Sequence, residues 1–315
     1  MSVWCMRESD VTQDSELSLV KSIDQTHALV VESQLNAELG EGPLWVAEQQ
    51  SLYWVDILRK HVHCFDVINR TNKTWTFETE VTALAQREQG GFIATIRDGF
   101  AAIDFNTCTI KAIDLVESDK PGNRFNDGKI DHHGNFWAGS MDDGLTATTG
   151  ALYKLSPDHQ VAKMDHDYII TNGPAFSPDG HTMYHNDTGL GVIYAFDVDH
   201  QDNISNKRIF ASLDMGKDGS TDGITVDSEG GIWLAHFGGA RVTRYSVSGS
   251  IDRVIELPCP NITSCTFGGQ NLDTLYITTA RCGMTPEQLK AFPLAGSLFS
   301  CKPGFTGLQT QKFKG

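Results

Sequence analysis

The sequence predicts an all-β chain folded as a six-bladed β-propeller with a central metal site. Three observations carry that expectation. Helical periodicity is nearly absent, a turn-and-strand pattern recurs six times at blade spacing, and oxygen-bearing side chains fall at one register of that repeat.

The chain has 315 residues, a length that all-β folds reach as one domain. Short β runs are separated by Gly, Asp, Asn and Pro. The best helical stretch is Thr285–Ala291. The recurring pattern reads QSLYWVD from Gln50, GGFIATI from Gly90, GNFWAGS from Gly134, HTMYHND from His181, GGIWLAH from Gly230 and DTLYITT from Asp273. Its first large apolar residues are Leu52, Phe92, Phe136, Met183, Ile232 and Leu275, spaced by 40, 44, 47, 49 and 43 positions. That is the period of a four-stranded blade. Each copy is followed by a second alternating run, such as HVHCFDV or GVIYAFDV, and in most by a further strand, such as KTWTFE or KRIFASL. A β-sandwich or two smaller all-β domains would not require such even spacing. A strand around His27–Ser33 is expected to join the last blade and close the ring, removing a sheet edge. Residues 1–24 read as a polar extension, and 25–315 as a single propeller.

Composition narrows the partners. A net charge of -15 disfavours nucleic acid and anionic membranes. No apolar stretch is long enough to span a bilayer, and MSVWCMRESDVTQDSE lacks the basic and apolar segments of a secretory signal. The seven cysteines are scattered and form no CxxC pair, as expected of a reduced cytoplasmic protein. The expectation is a monomer or small homo-oligomer with a small-molecule partner, no nucleic acid and no membrane.

Ten or eleven residues before each copy of the repeat lies another short strand. Its first residues are Glu41, Thr82, Asn126, Asn172, Asp222 and Ser264. The first strand of every blade lines the central channel, so these positions should meet at one height around one axis. Glu41, Asn126, Asn172 and Asp222 are hard oxygen donors suited to one divalent cation: Ca²⁺, Mg²⁺ or Mn²⁺, with Zn²⁺ or Fe²⁺ also possible. Two converging anions without a cation would repel each other. Taken singly, Asn-Gly, Asp-Gly and Glu-Gly are ordinary turn signals; their shared register is what favours ligands. Arg124 stands two residues before Asn126, on the same strand face, where it would hold substrate oxygens or else be a surface arginine. Asp127 completes a turn in this reading. His185 reads as a satisfied structural histidine rather than a substrate contact, and His132 and His133 as a solvated turn. DVDHQD from Asp197 fails as a calcium loop, because Asp202 and Arg208 stand where Gly and Glu are needed. No phosphate loop and no serine nucleophile elbow is present.

The motifs LGEGPLW, NRFNDGKID, ITNGPAFSPDG, YHNDTGLGVIYAFDVD, DGITVDSEGGIWLAHFGG and IELPCPNITSCTFGG resemble the SMP-30/gluconolactonase/LRE-like family, that of regucalcin and the sugar lactonases. The resemblance runs from about Ala37 to Phe299. ITNGP, ISNKRIF and PLAG look most like bacterial aldonolactonases. The resemblance implies that Glu41, Asn172 and Asp222 hold the metal, that Asp222 is also the general base, that Asn126 approaches metal or substrate, and that Arg124 binds substrate. The implied reaction is hydrolysis of a small sugar lactone to the aldonic acid. Where some members carry a substrate-contacting carboxylate, this chain has Gly144 beside Asp142 and Asp143. Two other readings remain: a calcium-binding regulatory or scaffold propeller without catalysis, and a propeller arylesterase or organophosphatase.

Overall fold

The computed structural model describes residues 28–315; the polar extension expected over 1–24 lies outside them. Blade 1 comprises β2 (Gly40–Val46), β3 (Ser51–Asp56), β4 (His61–Asp66) and β5 (Thr71–Thr76), after a leading strand β1 (Val30–Ser33). Blade 2 comprises β6 (Val81–Gln86), β7 (Phe92–Ile96), β8 (Gly99–Asp104) and β9 (Thr109–Asp114). Blade 3 comprises β10 (Asn123–Ile130), β11 (Phe136–Asp142), β12 (Gly150–Leu155) and β13 (Val161–Tyr168). Blade 4 comprises β14 (Thr171–Phe176), β15 (Thr182–Asp187), β16 (Val192–Val198) and β17 (Ile204–Ser212). Blade 5 comprises β18 (Ser220–Val226), β19 (Ile232–Phe237), β20 (Arg241–Tyr245) and β21 (Ile251–Glu256). Blade 6 comprises β22 (Ile262–Gly268), β23 (Thr274–Thr279) and β24 (Leu298–Cys301), and β1 completes it by pairing antiparallel with β24. The propeller and its closing strand are as the repeat predicted.

Each blade runs from a buried inner strand to an exposed outer one. β2, β6, β14 and β18 are buried almost throughout, whereas β5 buries only Trp75. Inner strands are covered on both faces by neighbouring blades, so they tolerate unbroken apolar runs. Packing between blades supplies the core. Tyr53 and Val55 of blade 1, for example, meet Leu84, Phe92 and Ala94 of blade 2.

Two blades share a polar lock. Asp131 accepts the indole hydrogen of Trp137 at 2.7 Å and the backbone N–H groups of His133 and Asn135. Asp227 does the same for Trp233 at 2.8 Å and for Glu229 and Gly231. Both indoles are fully buried, and a buried N–H needs such a partner.

Thr285 caps the expected helix rather than joining it. The helical residues are Pro286–Ala291, with a reciprocal capping box between Thr285 and Gln288 and proline in the first turn, as those residue types favour. No helix of the described residues is long and apolar enough to cross a membrane.

The C-terminal segment lies across the end of the channel where the inner strands finish. Ser228 N–H donates to Thr306 O, Gly307 N–H to Leu272 O, Thr310 Oγ1 to Trp45 O, Phe313 N–H to Gln86 O and Lys314 N–H to Gly134 O. The segment thereby touches blades 5, 6, 1, 2 and 3 and buries Phe313 completely. Under it lies a cavity of about 110 Å³ whose lining includes Asp127, Lys129, Ser264 and Leu308.

Candidate metal and substrate site

All six inner strands slip register beside the positions singled out in the sequence. The slips fall at Glu41–Leu44, Val81–Ala83, Phe125–Gly128, Asn172–Ala175, Thr221–Ile224 and Ile262–Ser264. A bulge bends a strand and re-aims a side chain. The Glu-Gly, Asn-Gly and Asp-Gly pairs that look like turns are therefore kinks within strands. Gly42 and Gly173 take φ of +53° and +81°, which glycine adopts freely. Gly223 is held small by crowding: a Cβ there would stand 2.1 Å from Ser264 Oγ.

The bulges bring the candidates together. Arg124 Nη1 donates to Asn126 Oδ1 at 2.6 Å and to Phe125 O at 2.9 Å. Asn126 Nδ2 donates to Thr171 O at 2.7 Å and to Asn172 Oδ1 at 3.2 Å, and Asn172 Nδ2 donates to Thr188 Oγ1 at 2.8 Å. On the other side, Glu41 and Asp222 hydrogen-bond to each other, and Glu41 Oε2 accepts from Gly42 N–H at 2.8 Å. Asn186, register partner of Asn172, donates to Asp222 O at 2.5 Å, and its own Oδ1 is buried without a partner. Exposure is 4% at Glu41, 8% at Arg124, 6% at Asn126, 2% at Asn172 and 6% at Asp222. Arg124 is thus no surface arginine. Thr82 turns to Thr95 Oγ1 at 2.7 Å.

Burial and mutual repulsion set the electrostatics. Burial, then the nearby Asp127 charge, pushes Glu41 up from 4.5 to about 8. Burial, then Glu41 and Asp127, raises Asp222 well above the usual carboxylate range. Burial lowers the pKa of Arg124, against the pull of Asp143 and Glu41.

Asp127 is a correction to the sequence reading. It lies inside β10, 7% exposed, and accepts the N–H of Gly128 at 2.7 Å and of Gly173 at 3.0 Å, tying blade 3 to blade 4. Burial raises its pKa, and the half-buried Lys129 ammonium, which donates to Ile224 O at 3.0 Å, partly offsets that. An acidic residue between two strand-lining residues was the signal available for it. His185 is buried as expected but not satisfied, since neither ring nitrogen has a partner; its ring meets the edge of Tyr168. Of the histidine pair, His133 is exposed and bonded to Asp202, but His132 is half-buried against Phe176.

Beside Gly144, Asp143 supplies a carboxylate at the rim. Its Oδ2 lies 2.6 Å from Arg97 Nη1 and its Oδ1 3.6 Å from Arg124 Nε, while Arg97 also pairs with Glu80 at 3.2 Å.

A family model for the SMP-30/Gluconolactonase/LRE-like region matches residues 39–281. The chain belongs to the SMP-30/gluconolactonase/LRE-like family. Among SMP-30/gluconolactonase/LRE-like relatives, 6-deoxy-6-sulfogluconolactonase of Pseudomonas putida is 34% identical over 277 residues, spanning 88% of this chain and 95% of the relative. Regucalcin of Homo sapiens is 38% identical over 271 residues, spanning 84% and 90%. The solved structure of a calcium-binding protein, regucalcin, from Agrobacterium tumefaciens superposes with a TM-score of 0.86 at 28% identity, covering 90% of this chain and 96% of that one. All five candidate residues fall within the matched region.

Proposed function

We propose that the chain hydrolyses a small sugar lactone to its aldonic acid at one divalent cation held by Glu41, Asn172 and Asp222. The observation that carries this is the meeting of two buried carboxylates, Glu41 and Asp222, from blades far apart in sequence, beside a chain of amide and guanidinium donors. Neither can ionise cheaply beside the other, so both hold protons more tightly than an ordinary carboxyl. A cation compensates both charges, and the donor set is all oxygen, as hard divalent ions prefer. The uncommitted Oδ1 of Asn186 adds a further buried oxygen at the same place. The family's sugar-lactonase and calcium-binding members agree with this choice.

When bound, the cation supplies Lewis-acid polarisation of the lactone carbonyl and acidifies water. Asp222 takes the proton of the attacking water, a role open to the ionised carboxylate that a bound cation would favour; general-base catalysis contributes roughly 10²–10⁴-fold. Arg124 and Asn126 hold the sugar hydroxyls, and Asp143 fixes the Arg124 guanidinium from the rim. Near-complete burial of these side chains limits competing water.

The test is hydrolysis of xylono-, arabinono-, galactono- and gluconolactone, followed by pH-stat or NMR after chelation and after return of each metal. At least one lactone should turn over, lose its rate to chelator and regain it. A folded protein inert to the whole panel under every metal would overturn the proposal in favour of a binding propeller. Turnover of aryl esters or organophosphates alone would favour an esterase.

A further inference from the structure

Away from the channel, blade 1 assembles a second group of metal-binding side chains. Asp56 ends β3 and faces His61, the first residue of β4; His63, two residues further on, shares the face of His61. One donor atom from each of the three lies within 4.8 Å of the others. His63 is 4% exposed, and its Nε2 is buried with no partner. Its Nδ1 lies 2.8 Å from Thr74 Oγ1. The tautomer that donates from Nδ1 to Thr74 leaves Nε2 with a free lone pair, the arrangement that orients metal-binding histidines.

Asp56 alone is explained by the fold. Its carboxylate accepts the N–H groups of Glu38 at 2.8 Å and Leu39 at 3.0 Å. At the equivalent position of blade 4, Asp187 does the same for Ile169 and Ile170 without a histidine pair. The two histidines of blade 1 are therefore not needed for this capping. Arg59 stands 3.7 Å from Asp56 Oδ2 but is bound to Asn36 O at 2.7 Å on the open side. His61 is only half-buried, so an ion has a way in.

We propose that Asp56, His61 and His63 bind a borderline divalent transition ion, such as Zn²⁺ or Co²⁺, at a site independent of the channel. Two imidazoles and one carboxylate suit such ions rather than Ca²⁺ or Mg²⁺, and three protein ligands leave a fourth tetrahedral position to water. The neutral imidazole, which predominates above about pH 6.5, is the ligating form. The Trp54 ring lies 5.0 Å from that of His63 and reports occupancy.

The experiment uses the full chain carrying Glu41→Gln and Asp222→Asn, which disables the channel ligands whether or not the lactonase proposal holds. Calorimetric titration with Zn²⁺, and with Co²⁺ followed by visible absorption and Trp54 quenching, should give one equivalent with a tetrahedral Co²⁺ spectrum. Adding His61→Asn, at a half-buried position, should abolish it. Adding Thr74→Val, at an exposed position, should weaken it by roughly 10–100-fold with unchanged circular dichroism. Absence of Zn²⁺ and Co²⁺ binding in the channel-disabled chain, or binding unaltered by His61→Asn, would overturn the proposal.

Discussion

The two buried carboxyls, Glu41 and Asp222, make a stability prediction as well as a catalytic one. In the metal-free chain Glu41 is raised from 4.5 to about 8, so the folded state holds a proton that the unfolded state releases. Stability therefore falls as pH climbs from about 4.5 through about 8, and it is greatest below that window. Treating Glu41 as a single group, linkage sets the penalty at about 1 kcal/mol at pH 5, about 3 at pH 7 and about 4 at pH 8. Glu41→Gln keeps the shape and can still bond to Asp222, but carries no charge. A chain of 315 residues has an unfolding entropy of about 0.7 kcal/mol/K. The variant should then melt roughly 4–6 °C above chelated wild type at pH 7–8, converging toward it at pH 5. Scanning calorimetry of chelated samples across that range reads the difference directly. Added Ca²⁺ or Mg²⁺ should raise wild type and leave the variant unmoved, while the variant loses lactonase activity. A variant melting no higher than wild type at pH 8, or higher by an equal margin at pH 5, would refute the repulsion argument.

Other perturbations test separate parts of the structure. Asp222→Ala should remove metal-dependent turnover by at least about 10²-fold with native circular dichroism; a wild-type rate would contradict the base assignment. Arg124→Lys loses the guanidinium whose Nη1 bonds Asn126 Oδ1 and Phe125 O while its Nε faces Asp143, and kcat/KM should fall roughly tenfold or more in a lactone assay. Arg244→Ala leaves the fully buried Asp227 without its cation, and urea titration should show a loss of about 3–5 kcal/mol. Phe313→Ala should cost a similar amount, about 3–5 kcal/mol, by emptying a fully buried position far from the chemistry, with kcat unchanged.

The propeller was legible because blade strands are buried in proportion to their depth, and depth recurs with the repeat. Where a strand is solvent-facing the signal fails. β13, VAKMDHDY, carries no apolar alternation because only Tyr168 is buried, so an outer strand is readable from the sequence in most blades but not in this one. The site was legible through register, yet Asp127 was read as a turn because Asn-Asp-Gly has turn composition. What distinguishes it is a bond to Gly173 on the next blade, and a contact between blades leaves no mark in local sequence. The segment past Cys301 gave no cue either, because much of its hold is through backbone groups, those of Thr306, Gly307 and Phe313 among them, and its apolar anchor is the single residue Phe313. The orphaned nitrogens of His185 were invisible for the complementary reason, since composition records what a side chain offers and not whether anything answers it.

The six bulges separate backbone from chemistry. Because every blade bends at the same level, the residue at each bend can change without redirecting the strand that bears it. Two of the six now carry only hydroxyls, Thr82 and Ser264, and Thr82 is already satisfied by Thr95. A mutation to Asp or Asn at either would bring another oxygen to the same register, at the cost of the Thr82–Thr95 bond in one case and of the close approach to Gly223 in the other. The ring thus works as a socket with interchangeable pins, in which charge, ion preference and substrate fit can evolve one blade at a time.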